Sequence, residues 1–293
     1  MTKTIFGLSA ALVTPYLPDG SVDLSRLASH AASVLKRGCN SVTLAGTTGE
    51  GYGLSLAERI AMHEALNSAL PSGSRIQVGI MACAIDDAAE QSRVALDRGA
   101  TGLLMAPPFY MKAMDDEGMY AWFNRVFERI GAGLKGVIMY HIPGQTASPL
   151  SPELITRLRA AWPGVITGIK DSSGDWATAQ RFLAAHNDIS VLVGDERQLP
   201  AAMAKGAEGS ICGLANIAPE LLAPVIHQGG DGRTVKDLVD LIVSYPVLPA
   251  VKVLVGHLSR DPGFDAVRPP LVELTPAQKS ALIAAFDAIM VPA

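Results

Sequence analysis

Short runs of almost unbroken apolar, often β-branched residues alternate along this chain with longer stretches whose apolar positions recur at helical spacing. The runs are GLSAALVTPY (7–16), SVTLAG (41–46), IQVGIM (76–81), TGLLMAP (101–107), GVIMYHIP (136–143), VITGIK (165–170), ISVLVGD (189–195) and GSICGLAN (209–216). Each is bounded by Gly, Pro, Asp or Asn, the pattern of strands buried on both faces of a parallel sheet. Helix signals fill the intervals. Asp23 stands in a capping position before LSRLASHAASVLKRG, Ser55 and Glu58 have the spacing of a capping box, and Ser151 followed by Pro152 opens a further helix.

Eight strands, each followed by a helix, predict an α/β fold, a (β/α)8 TIM barrel over residues 1–228. Three more helical patterns follow: GRTVKDLVDLIVSY, PAVKVLVGHLSRD and TPAQKSALIAAFDAIM. They predict a C-terminal helical extension over residues 229–293, packed on the barrel.

Composition narrows the partners. The 293 residues, 49% of them hydrophobic, suffice for one large core. The net charge is −4 and no Lys/Arg run stands out, so nucleic acid is not an expected partner. No 18-residue apolar run predicts a membrane span. The opening MTKTIFGLSAALVTPY reads as a first strand and not as a signal peptide, because its apolar part is short and ends in Thr-Pro. Cys39, Cys83 and Cys212 lie far apart with no CxxC, which reads as buried thiols in the cytoplasm. The six histidines are scattered and form no ligand motif, so no metal is expected.

In a barrel of this kind the chemistry sits at the C-terminal ends of the strands. Lys170 ends the sixth strand, after an apolar run. Desolvation disfavours the ammonium form, and a neutral amine attacks a ketone to give a Schiff base. Lys252, flanked by valines in AVKVLV, is the rival; its place in the helical tail predicts a surface lysine with a snorkelling stem. Tyr140 lies near the end of strand five, where a phenol could move a proton to and from a carbinolamine, or simply fill the core. His141, next to it, should face the other way. GTTGEGYG after strand two lacks the lysine of a phosphate loop; its free N–H groups and two hydroxyls, Thr47 and Thr48, suit a small carboxylate.

GTTGE, the strand-five tyrosine with IPG, and GIKDSSG occur together and in order. With PPFY, VGDE, GLANIAPE and RPPLVELT, they give a chain that resembles the dihydrodipicolinate synthase / N-acetylneuraminate lyase family over nearly its whole length. The resemblance implies a class I, Schiff-base mechanism on pyruvate or another 2-oxo acid, with no cofactor beyond the covalent Schiff base. It implies that Lys170 condenses with the keto group, that Tyr140 is the general acid/base, and that Thr48 links Tyr140 to Tyr110. It further implies that Tyr110 reaches in from a neighbouring subunit of a homodimer, in a dimer of dimers. Thr47 and Thr48 would hold the 2-oxo acid carboxylate, and Gly194 and Ile211 would line the pocket.

One position departs from the synthases. They carry an arginine after the tyrosine-containing IPG motif, to hold the carboxylate of aspartate semialdehyde. Here the stretch is YHIPGQT, with Gln145 in that place. Glutamine lacks the charged, bidentate fork, and losing such a partner costs roughly 1.5–3 kcal/mol. The expected second substrate is therefore a sugar acid or aldehyde, with Gln145, Ser172 and Asn216 among the specificity residues. The alternatives are a true synthase, a dehydratase of 2-keto-3-deoxy sugar acids, and a barrel that binds a 2-oxo acid as a sensor without turnover.

Overall fold

A computed structural model describes residues 5–291; residues 1–4, where the N-terminal reading begins, and 292–293 lie outside it. Eight strands form a closed parallel barrel in the order β1 to β8. They are β1 (Gly7–Ala11), β2 (Ser41–Leu44), β3 (Ile76–Ile80), β4 (Gly102–Met105), β5 (Val137–His141), β6 (Ile166–Asp171), β7 (Ser190–Val193) and β8 (Gly209–Cys212). Every one falls inside or at the edge of a predicted run. Most are shorter than predicted at their C-terminal ends, because the last apolar residues of each run leave the ladder and enter the loops of the barrel mouth.

The helices between strands are α1 (Leu24–Lys36), α2 (Leu56–Ala69), α3 (Ile85–Asp97), α4 (Asp116–Ile130), the short α5 (Pro143–Thr146), α6 (Pro152–Ala161), α7 (Trp176–Ala185) and α8 (Leu199–Ala204). After β8 come α9 (Pro219–Gln228), α10 (Arg233–Val243), α11 (Val247–Ser259) and α12 (Pro276–Met290). The predicted caps are in place: Asp23 accepts from the Arg26 N–H, Ser55 and Glu58 close a capping box, and Ser151 accepts from the Leu154 N–H. Among the described residues no single helix is long and apolar enough to cross a membrane.

Strand alternation sorts the apolar side chains into two cores. Leu8, Val42, Val78, Met105, Met139 and Ile169 join the large core between sheet and helices. Leu104, Ile138, Tyr140, Leu192 and Ile211 form a second, smaller cluster inside the barrel. Lys170 has the inward parity, since it is the register partner of inward-facing Tyr140 on the neighbouring strand. His141 has the other parity, as expected: its Nδ1 accepts from the Leu150 N–H and its ring packs edge-on to Phe182.

Two expectations are corrected here. Lys252 is not a surface lysine: α11 is buried along Pro249–Gly256, and Lys252 is fully buried with its Nζ 2.7 Å from Glu50 Oε1. A helix that is apolar all round is an interior helix, and a lysine inside it needs a carboxylate. Asn216 is not a specificity residue at the mouth. It is buried, accepting from the Val13 N–H and donating to the Ala11 carbonyl, and so ties the loop after β8 to β1.

Burial also sets an acid limit on the fold. His30, His63 and His141 are buried, and desolvation pushes each imidazole down to about 4. In the unfolded chain these groups take up protons near pH 6.5. Between those values the unfolded state binds more protons, so lowering the pH destabilises the fold, by at most about 1.4 kcal/mol per pH unit for each imidazole. The urea midpoint is expected to fall from pH 7.5 to pH 5. His63→Leu, which removes an imidazole whose Nε2 has no partner, should flatten that slope only in part, since His30, His141 and His186, also pushed down by burial, remain; an unchanged midpoint at pH 5 would contradict this reading.

Candidate active site

All the side chains singled out in the sequence as site residues, except Tyr110 and Asn216, converge on one cavity of about 310 Å³ at the C-terminal end of the barrel. Lys170 and Tyr140 sit side by side at its floor because β5 and β6 are paired with those two residues opposite each other. Lys170 Nζ donates to the Tyr140 hydroxyl over 3.2 Å and lies 4.3 Å from the ring centroid. Both residues are buried.

The Tyr140 hydroxyl has a second neighbour, Thr47 Oγ1, at 3.2 Å. The resemblance assigned the link from Tyr140 to Thr48; the geometry places Thr47 there instead. Thr48 also lines the cavity, its side chain beside Gly213 of the loop after β8, but the Tyr140 hydroxyl bonds Thr47 and Lys170 and not Thr48. Adjacent residues in a tight turn point to different sides, so sequence order alone could not say which threonine faces the phenol.

The loop carrying both threonines is held in an unusual shape. Ala45 (φ 53°) and Glu50 (φ 56°) bracket it in the left-handed region, where a non-glycine residue is strained unless its surroundings fix it. At Gly51 a Cβ would come within 1.9 Å of the Ala45 carbonyl, so only glycine fits. Arg59 reaches the carbonyls of Gly51 and Gly79, and Thr14 donates to the carbonyl of Gly49. The N–H groups of Thr47 and Thr48 donate to no described residue, which leaves them to an incoming carboxylate.

Gly194 and Ile211 line the cavity as expected. A Cβ at Gly194 would lie 2.0 Å from Ser172 Oγ and 3.1 Å from the Asp171 carbonyl oxygen, so Ser172 would have to turn away. Gln145, on α5, stands where this cavity meets a neighbouring one of about 250 Å³ lined by Met81, Ala106, Phe109 and Tyr52. Tyr110 does not line either cavity; it is 80% exposed on the loop after β4.

Part of the wall was missed in the sequence. Val239, Ile242 and Val243 of α10 and Val247, Leu248 and Val251 of α11 close the outer side of the cavity. No motif marks them, since their spacing is that of any amphipathic helix. Arg197 is the other cation of the lining, and it is already committed: Nε and Nη2 donate to Asp195, and Nη1 to Asp240. Among the described lining residues Lys170 is thus the one cation without a carboxylate partner. No cluster of three or more His, Cys, Asp or Glu among the described residues could hold a metal.

Comparison with known proteins gives one consistent result. The profile of the Dihydrodipicolinate synthetase family matches residues 4–289. An "Uncharacterized DapA-like lyase" of Chloroflexus aurantiacus is 34% identical, the match covering 97% of each chain. 4-Hydroxy-tetrahydrodipicolinate synthase 1 of Streptomyces coelicolor is 30% identical over 96% of this chain and 93% of its own. The crystal structure of dihydrodipicolinate synthase from Agrobacterium tumefaciens superposes with a TM-score of 0.95 and is 43% identical, covering 98% of this chain and all of that one.

Proposed function

Because this chain belongs to the dihydrodipicolinate synthetase family, we propose that it is a lyase that makes or breaks a carbon–carbon bond beside the keto group of pyruvate or a related 2-oxo acid, through a Schiff base on Lys170. The observation that carries the proposal is the unbroken contact Lys170 Nζ–Tyr140 OH–Thr47 Oγ1 on the cavity floor.

The steps follow from that contact. The lysine amine attacks the keto carbon, and the carbonyl oxygen takes a proton delivered through Tyr140. The phenolate recovers a proton from the new ammonium nitrogen and gives it to the carbinolamine hydroxyl, which leaves as water and yields the iminium. The phenolate then takes a proton from C3 to give the enamine, which adds to an aldehyde whose oxygen is protonated by the same phenol; the reverse order, with water adding to the iminium, releases pyruvate. The free N–H groups of Thr47 and Thr48 hold the 2-oxo acid carboxylate. No cofactor takes part in these steps.

The lining supports an uncharged second substrate. A remote carboxylate buried there would meet Asp195, Glu196 and a spent Arg197, whereas hydroxyls would meet Gln145, Ser172 and Ser173. Turnover is therefore expected to favour 2-keto-3-deoxy sugar acids, or pyruvate with polyhydroxy aldehydes, over pyruvate with aspartate semialdehyde. Pyruvate release across a panel of sugar acids, beside a synthase assay, tests this, and product analysis separates aldol cleavage from dehydration. Gln145→Arg should raise the rate with aspartate semialdehyde about ten- to a hundredfold. A wild-type enzyme that prefers the semialdehyde would sink the substrate assignment.

We place the active form in a homo-oligomer, a dimer of dimers, in the cytoplasm; the three free thiols support that compartment. Tyr110 is exposed beside Met111, itself 62% exposed, which supports a role for Tyr110 in the site of a second copy. Lys170→Ala and Tyr110→Ala subunits, each inactive alone, should on mixing and refolding regain about a quarter of wild-type activity, since half the dimers are mixed and each has one whole site. No recovery would place Tyr110 in its own subunit's site, and a Tyr110→Ala subunit active by itself would place it outside catalysis.

A further inference from the structure

Lys252 and Glu50 form an ion pair in which both side chains are buried, at 0% and 2% exposure, with Nζ 2.7 Å from Oε1. The pair joins α11 to the loop after β2, 202 residues apart in the chain. Taking two charges out of water is costly, and a buried pair is weak support for stability as such. Its placement gives another reason for it. Glu50 closes the loop that presents Thr47 and Thr48, and it is the residue held in the left-handed region at φ 56°. Its second oxygen, Oε2, accepts from the Arg268 N–H at 3.2 Å. Tyr16 packs against the same group, its ring centroid 4.4 Å from Lys252 Nζ and 4.5 Å from Arg268 Cζ. Arg268 in turn grips Glu58 and the carbonyl of Gly20.

We infer that Lys252 and Glu50 are positioning residues: the buried pair fixes the strained end of the loop and so keeps Thr47 Oγ1 in reach of the Tyr140 hydroxyl. A left-handed glutamate persists only where its surroundings over-determine it, and here a cation from the C-terminal helices does so. The consequence is that the C-terminal helices take part in the proton-transfer geometry through Lys252, although Lys252 does not itself line the cavity. The inference rests on the reading of Lys170, Tyr140 and Thr47 given above.

The test uses the full-length chain and pyruvate alone. Exchange of the pyruvate methyl protons for deuterium, followed by NMR, requires both the imine and proton transfer; trapping with borohydride requires only the imine. Lys252→Met and the uncharged pair Glu50→Gln/Lys252→Met are expected to slow exchange about ten- to a hundredfold at saturating pyruvate, while the borohydride adduct still forms on Lys170. Glu50→Gln, isosteric but able to accept at only one of the two oxygens that now meet Lys252 and Arg268, keeps the side-chain shape and should show a loss in the same direction. The decisive readout is the cycle with Thr47→Val: in that background the Lys252 and Glu50 changes should cost nothing further. Unchanged exchange in the folded double variant, or losses that multiply with Thr47→Val, would overturn the inference. Failure of wild type to form any adduct would instead overturn the Schiff-base reading beneath it.

Discussion

Lys170→Ala is expected to abolish both turnover and the borohydride-stable pyruvate adduct. No other amine lines the cavity among the described residues. Lys252 is locked to Glu50 behind the loop, and Arg197 is paired with Asp195 and Asp240. The loss should reach at least about 10⁴-fold, because a covalent route has no partial substitute once its nucleophile is gone. The measurement is intact and peptide mass after treatment with pyruvate and borohydride, in wild type and variant. Lys170→Met, which keeps most of the buried volume, separates this effect from packing. A stable adduct in either variant would show that the amine lies elsewhere and would remove the basis of the mechanism.

Tyr140→Phe is expected to lower kcat by about 10²–10⁴, the usual range for a lost general acid/base. The ring and its packing stay, so the fold should not change; the hydroxyl that bridges Lys170 Nζ and Thr47 Oγ1 disappears. Thr47→Val should follow it in the same direction with a smaller loss, while Thr48→Val should leave kcat within a few-fold, since the Tyr140 hydroxyl bonds Thr47 Oγ1 and not Thr48. This ordering distinguishes the two threonines. Equal losses at both, or a larger loss at Thr48, would restore the link first drawn from the resemblance. Adduct formation on Tyr140→Phe should persist at long incubation, because the phenol speeds proton transfer and does not form the bond.

The barrel was legible in the sequence because every strand is buried on both faces and so appears as a short apolar run, with glycine, proline or a capping residue at its edges. Lys170 was legible for a related reason: a charge at the end of such a run has to be explained. Tyr140 gained its meaning only beside Lys170, one strand away. The adjoining threonines could not be told apart, because which of two neighbours in a turn faces the phenol depends on the left-handed backbone at Ala45 and Glu50. Sequence leads astray at Lys252, where a lysine between valines in the helical tail reads as a surface residue with a snorkelling stem. Those valines in fact marked a helix buried on all sides. Asn216 failed similarly, since a polar residue near a strand end reads alike whether it faces a ligand or ties two loops.

By itself, then, the sequence determined the alternation that closes a (β/α)8 barrel and the place of one amine at its mouth. Those properties are local, carried by burial period and residue type; that Gln145 stands where the synthases carry an arginine came from the resemblance. The tertiary structure decided which threonine meets Tyr140, that Arg197 is spent, that α10 and α11 wall the cavity, and that Glu50 has a buried partner 202 residues away. These depend on distances between segments remote in the chain, and hydrophobic periodicity, which reports only whether a residue is inside, carries no record of what it meets there.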